Sequence, residues 1–152
     1  MPNYGVFDEK RIFTAGPLPD VVTLRGVTLG LPICEDIWKT TVAAHLRAQG
    51  AELFIVPNAS PYWTGKQTNR LEIMRQRVQE NGVPLVYLNQ VGGQDELVFD
   101  GGSFILDAQG HVRVQLESFI EQSLLTHWYE SETGLTCQKG TQTPLATTDE
   151  AD

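Results

Sequence analysis

Val27-Thr28-Leu29-Gly30-Leu31-Pro32-Ile33-Cys34-Glu35-Asp36-Ile37-Trp38 decides the fold, because an apolar run stops at a cysteine and two acids and a helical pattern takes over. The run predicts a strand from Val27 to Ile33. A helix is predicted from about Asp36 through Leu46 and Arg47 to Gly50, a C-terminal stop signal. A thiol at such a junction sits beside unpaired backbone N–H groups and the positive end of a helix dipole, which favours the reactive thiolate. Plain alternatives exist for the same residues. A strand-end cysteine is more often a small buried apolar side chain. Acids in a first helical turn are favoured by the dipole by about 0.3–1 kcal/mol without any catalytic role.

Working outward, Val21-Val22-Thr23-Leu24 and Val27 to Ile33, joined by Arg25-Gly26, predict a hairpin. Ala51 to Val56 is a short, nearly continuous apolar run, as in a strand covered on both faces. The turn-rich Pro57-Asn58-Ala59-Ser60-Pro61-Tyr62 follows. From about Lys66 to Asn81, Leu71, Met74 and Val78 fall on one helical face with charges opposite, and Asn81-Gly82 closes the element. Pro84 to Asn89 predicts another buried strand, with Gly92-Gly93 ending its continuation. Phe99 to Leu106 and His111 to Leu116 predict a hairpin around Asp107-Ala108-Gln109-Gly110. Gly92-Gly93 and Gly101-Gly102 lack the spacing of a phosphate-binding loop and are expected as turns. Beyond about Thr133 the Gly/Thr/Gln-rich stretch has no periodicity and reads as a linker.

Size and composition narrow the function classes. The chain has 152 residues, 41% hydrophobic and 20% charged, enough for one domain or part of one with a real core. Its net charge of −8, with 11 scattered Lys and Arg, argues against nucleic acid or an anionic membrane as partner. Cys34 and Cys137 are far apart and His45, His111 and His127 are isolated, so no zinc site or disulfide framework is indicated. There is no secretory h-region and no apolar run of membrane-spanning length. A cytoplasmic location is expected.

Four collinear blocks carry a family resemblance. Met1-Pro2-Asn3-Tyr4-Gly5-Val6-Phe7-Asp8-Glu9, Ile33 to Trp38, Asn58-Ala59-Ser60-Pro61 with Gly65-Lys66, and Asn89-Gln90-Val91-Gly92-Gly93-Gln94-Asp95-Glu96 together resemble the glutaminase domain of glutamine-dependent NAD synthetases. That domain belongs to the nitrilase, or carbon–nitrogen hydrolase, superfamily. The resemblance implies an α/β fold, the C-terminal part of a nitrilase-type αββα sandwich. It implies a partial glutaminase domain over residues 1–132 and a linker toward a synthetase domain over 133–152.

The resemblance further implies a Cys–Lys–Glu triad with Cys34 as the nucleophile on the glutamine side-chain amide, and Tyr4, Glu35, Trp38, Ser60 and Lys66 around the substrate. Each has a plain alternative: Tyr4 and Trp38 as core aromatics, Ser60 as a turn residue, Lys66 as a solvated charge at a helix start. At Lys66 an arginine would make the better bidentate clamp. Cys137 is expected to be structural.

In the family the triad lysine lies a few residues before the Pro-Asn-Tyr element and the glutamate farther upstream, positions with no counterpart here. Glu9, Lys10 and Lys39 do not match them. The chain is therefore expected to be inactive alone, to partner a missing N-terminal half and synthetase domain, and to form homo-oligomers when complete. It is expected to hold no cofactor or metal of its own, ATP and Mg belonging to the synthetase domain. Another nitrilase-type amidase, or a non-catalytic binding module, remains the alternative; intact Cys34, Glu35 and Ser60 favour the enzyme.

Overall fold

The computed structural model describes the backbone of residues 14–143 and the side chains of 14–138. In chain order its elements are β1 (Val22–Leu24), β2 (Val27–Gly30), a 3-10 helix (Cys34–Trp38), α1 (Thr40–Ala48), β3 (Leu53–Asn58), α2 (Lys66–Asn81), β4 (Leu85–Asn89), β5 (Val91–Gln94), β6 (Leu97–Asp100), β7 (Phe104–Leu106), β8 (Val112–Gln115), β9 (Ser123–Ser131) and β10 (Gly134–Thr143). Six strands form a mixed sheet in the order β1-β2-β3-β4-β7-β8. The pairs β2–β3 and β3–β4 are parallel and the others antiparallel. Two hairpins, β5–β6 and β9–β10, form separate two-stranded sheets.

Side-chain alternation sends Phe54 and Val56 of β3, Leu85 and Tyr87 of β4 and Phe104 and Leu106 of β7 to one face. There they meet Ala43 and Leu46 of α1, Met74 and Val78 of α2, and Ile37. Tyr87 stacks on Phe104 with ring centroids 4.8 Å apart. Gly30, the last residue of β2, lies so close to this core that a β-carbon would stand 2.8 Å from the Phe54 ring, so only glycine fits where the chain leaves the sheet toward Cys34. The opposite face is covered unevenly. Ile105 and Val114 are buried with Cys137 under the β9–β10 hairpin, while Leu88 is 54% exposed.

Most expected elements are present: the β1–β2 hairpin turning at Arg25-Gly26, α2 with its left-handed Gly82 cap, and the β7–β8 hairpin. Several expectations are corrected. Gly92-Gly93 lies inside β5 rather than in a turn. The predicted strand from Phe99 to Leu106 is two strands in different sheets, because the chain passes through left-handed Gly101 and Gly102 between them. The stretch expected to be linker from Thr133 forms β10 as far as Thr143. Its cover comes from the neighbouring strand: Thr136 and Cys137 pair with Tyr129 and Trp128, a cross-strand match invisible to any local period. No helix of the described residues is long and apolar enough to cross a membrane.

Candidate active site

Cys34 is positioned by a strained turn. After β2 ends, Leu31-Pro32-Ile33 leads out of the sheet and Cys34 takes φ of +50°, a left-handed conformation that costs a non-glycine residue on the order of 1–2 kcal/mol. A side chain on such a sharp strand-to-helix turn is held clear of the sheet end. Asp36 locks the turn from both sides: its backbone N–H donates to the Ile33 carbonyl (3.0 Å), and its Oδ2 accepts the Ile33 N–H (3.2 Å). Ile37 is fully buried and anchors the short helix.

The predicted single helix from Asp36 to Gly50 is broken at Lys39, whose backbone is extended (φ −98°, ψ 148°). The reason is geometric. At about 100° per residue, an unbroken α-helix would put Leu46 roughly opposite Ile37, yet both belong to the same core. The break turns both inward. It also leaves Cys34 on a helix of only 5 residues, and Lys66 brings a formal positive charge within electrostatic reach of it.

Lys66 opens α2 and is 3% exposed, which removes the solvated alternative. Its Nζ lies over two tryptophan rings, 4.4 Å from the centroid of Trp38 and 3.2 Å from that of Trp63. Burial, and secondly the like charge of Arg70, lower its pKa to about 8; Glu35, Cys34 and Asp100 oppose the shift. One side chain thus draws Cys34, Glu35, Trp38 and Lys66 into a single group.

Ser60 is buried beyond the end of β3 and belongs to a polar network. Its N–H donates to Asn89 Oδ1 (3.0 Å), its Oγ accepts from Arg70 Nε (3.3 Å), and its carbonyl accepts from Arg70 Nη2 (2.7 Å). Arg70 Nη1 in turn donates to both Asp100 oxygens at 2.7 and 2.9 Å. Asn89 Nδ2 donates to the Gly101 carbonyl, and Ser103 Oγ accepts the Asn89 N–H. The Tyr87 hydroxyl is buried nearby, beside Ser60 but without hydrogen-bond geometry to it; burial raises its pKa.

Of the predicted site residues, Cys34, Glu35, Trp38 and Lys66 are grouped directly. Ser60 joins them through Arg70, itself in electrostatic reach of Lys66. Tyr4 lies outside the described residues. Sequence reasoning missed Trp63, Arg70 and Asp100. Arg70 carried a usable signal, standing one helical turn after Lys66 and therefore on the same face of α2. Asp100 carried none.

Residues 1–130 match the carbon–nitrogen hydrolase family. The glutamine-dependent NAD(+) synthetase of Rhodobacter capsulatus is 51% identical over 121 residues, 80% of this chain and 22% of that protein. Its Thermotoga maritima counterpart is 40% identical over 128 residues, 83% of this chain and 22% of that protein. The chain thus spans about a quarter of the curated relatives it matches. Among solved structures, the glutamine-dependent NAD+ synthetase of Acinetobacter baumannii superposes with a TM-score of 0.82 at 36% identity, covering 94% of this chain and 27% of that one. An amidase of the nitrilase superfamily from Nesterenkonia superposes with a TM-score of 0.66 at 31% identity, covering 76% of this chain and 44% of that one. The α/β fold is accordingly that of a nitrilase, and the chain belongs to the carbon–nitrogen hydrolase family.

Proposed function

We propose that this chain supplies the nucleophile and the amino-acid-recognition groups of a glutaminase that feeds ammonia to ATP-dependent synthesis of NAD from deamido-NAD. The observation that carries this reading is the pairing of Cys34, on its left-handed turn, with buried Lys66 and neighbouring Glu35. That constellation suits an α-amino acid whose side chain ends in an amide. Lys66 meets the carboxylate, Glu35 accepts from the ammonium, and Cys34 Sγ attacks the amide carbon.

The new C–S bond gives a tetrahedral intermediate. Its collapse breaks the C–N bond, the nitrogen leaves as ammonia after gaining a proton, and water then cleaves the thioester to glutamate and restores the thiol. In this reading the base and the oxyanion cation are the glutamate and lysine of the family's triad, and the backbone N–H following Cys34 shares the oxyanion charge. ATP and magnesium act in the synthetase part, and no residue here is assigned to either.

Hydrolysis of a different amide is the second reading. It draws on a form of the Nesterenkonia amidase bearing the acetamide moiety of fluoroacetamide on its active-site cysteine, with 32% identity to this chain. The fit to the NAD synthetase over 94% of the chain, against 76% for the amidase, favours glutamine. In the complete protein, Cys34→Ala should abolish glutamine-driven NAD synthesis while added ammonia still supports it. Retained glutamine-driven synthesis would overturn the proposal; turnover of short aliphatic amides in preference to glutamine would install the second reading.

A further inference from the structure

Arg70 and Asp100 form a fully desolvated pair behind the candidate site, 0% and 1% exposed and 30 residues apart in sequence. A buried charge pair is weak evidence of stability, because desolvation offsets much of the attraction. Its geometry is more telling. The two guanidinium edges do different things: Nη1 takes both carboxylate oxygens of Asp100, while Nε and Nη2 take the hydroxyl and carbonyl of Ser60, with Nη2 also reaching the Pro61 carbonyl (3.3 Å). The loop from Ser60 to Gly65, which ends at Lys66, is thus tied at its start to α2. Its middle is tied to β6 by the Tyr62 N–H donating to the Val98 carbonyl (2.7 Å).

We propose that Arg70 and Asp100 are positioning residues for substrate recognition: Asp100 fixes the Arg70 guanidinium, and Arg70 in turn sets the Ser60 loop that leads into Lys66. The inference rests on the glutaminase reading and deepens it. Charged and titratable groups facing Lys66 are Arg70 from its own helix, Glu35 and Cys34 from the 3-10 helix, and Asp100 from β6. Of these, Asp100 also bonds Arg70, through both carboxylate oxygens. Removing its charge leaves Arg70 uncompensated and weakens the hold of Lys66 on its proton, so Lys66 loses its charge at a lower pH.

The test measures glutamine-driven turnover against pH in the complete enzyme, for Asp100→Asn and Arg70→Lys. Asp100→Asn is expected to raise the glutamine KM about tenfold and to move the alkaline fall of kcat/KM to lower pH. Arg70→Lys keeps the charge and loses the fork, so it is expected to raise KM by a similar factor with kcat held and the alkaline fall in place. Wild-type KM and pH profile in both variants would overturn the proposal. If Asp100→Asn does not fold, an unchanged KM in Arg70→Lys overturns it alone. Glutamine-driven activity surviving Cys34→Ala would instead sink the glutaminase reading, so the two failures are distinguishable.

Discussion

The surroundings of Cys34 and Cys137 show how one residue type is given two fates. Cys34 is half-buried on a turn at φ +50°, electrostatically coupled to Lys66, whose other faces meet tryptophan rings and Glu35. Cys137 is 1% exposed in β10, packed with Ile105 and Val114, and its thiol donates to the Gln138 carbonyl (3.2 Å). Burial raises its pKa, holding it in the unreactive thiol form. The proposed reactivity of Cys34 therefore draws on backbone strain, access and a neighbouring cation rather than on the cysteine itself. The sheet positions both: Cys34 leaves its strand ends, and Cys137 closes its open face.

The sharpest way to break that contrast is chemical. In the complete protein an electrophilic glutamine analogue should label Cys34 and leave Cys137 untouched, as read by peptide mass mapping. Cys34→Ala should lower glutamine turnover by on the order of 10⁴–10⁶. Labelling that persists in Cys34→Ala and disappears in Cys137→Ala would reverse the assignment.

The groups proposed to recognise the substrate come next in size. Glu35→Ala and Ser60→Ala should each raise the glutamine KM roughly ten- to a hundredfold, the loss of a contact to a charged group being about 1.5–3 kcal/mol. A change in kcat with unaltered KM would place them outside substrate binding.

The pH profile sharpens the contrast further. Lys66 holds its proton below about pH 8, so its contact with a carboxylate is intact there and is lost as pH rises through that value. The glutamine KM should climb about tenfold per pH unit above it. Lys66→Arg, charged at every accessible pH, should remove the climb. A wild-type KM flat to pH 9.5 would contradict this.

On the Cys137 side the effect falls on stability instead. Cys137→Ser puts a hydroxyl into the apolar cluster and should lower folding stability by about 1–3 kcal/mol, measured by denaturant titration, with the glutamine KM unchanged. A serine variant as stable as the parent would show that the hairpin interior is wet.

How far the sequence alone reaches depends on the range of the forces involved. Local rules placed α2 over Lys66–Asn81 and the β1–β2 turn at Arg25-Gly26, because helix periodicity, glycine caps and tight turns are decided within a few residues. The motif around Cys34 was legible for the same reason. Tertiary structure alone decided the break at Lys39, since burying Ile37 and Leu46 in one core requires turning the chain between them. It also decided that Lys66 and Arg70 are interior cations and that β10 is a strand. A charge can be buried only where an opposite charge waits, and for Arg70 that charge is Asp100, 30 residues away on another strand.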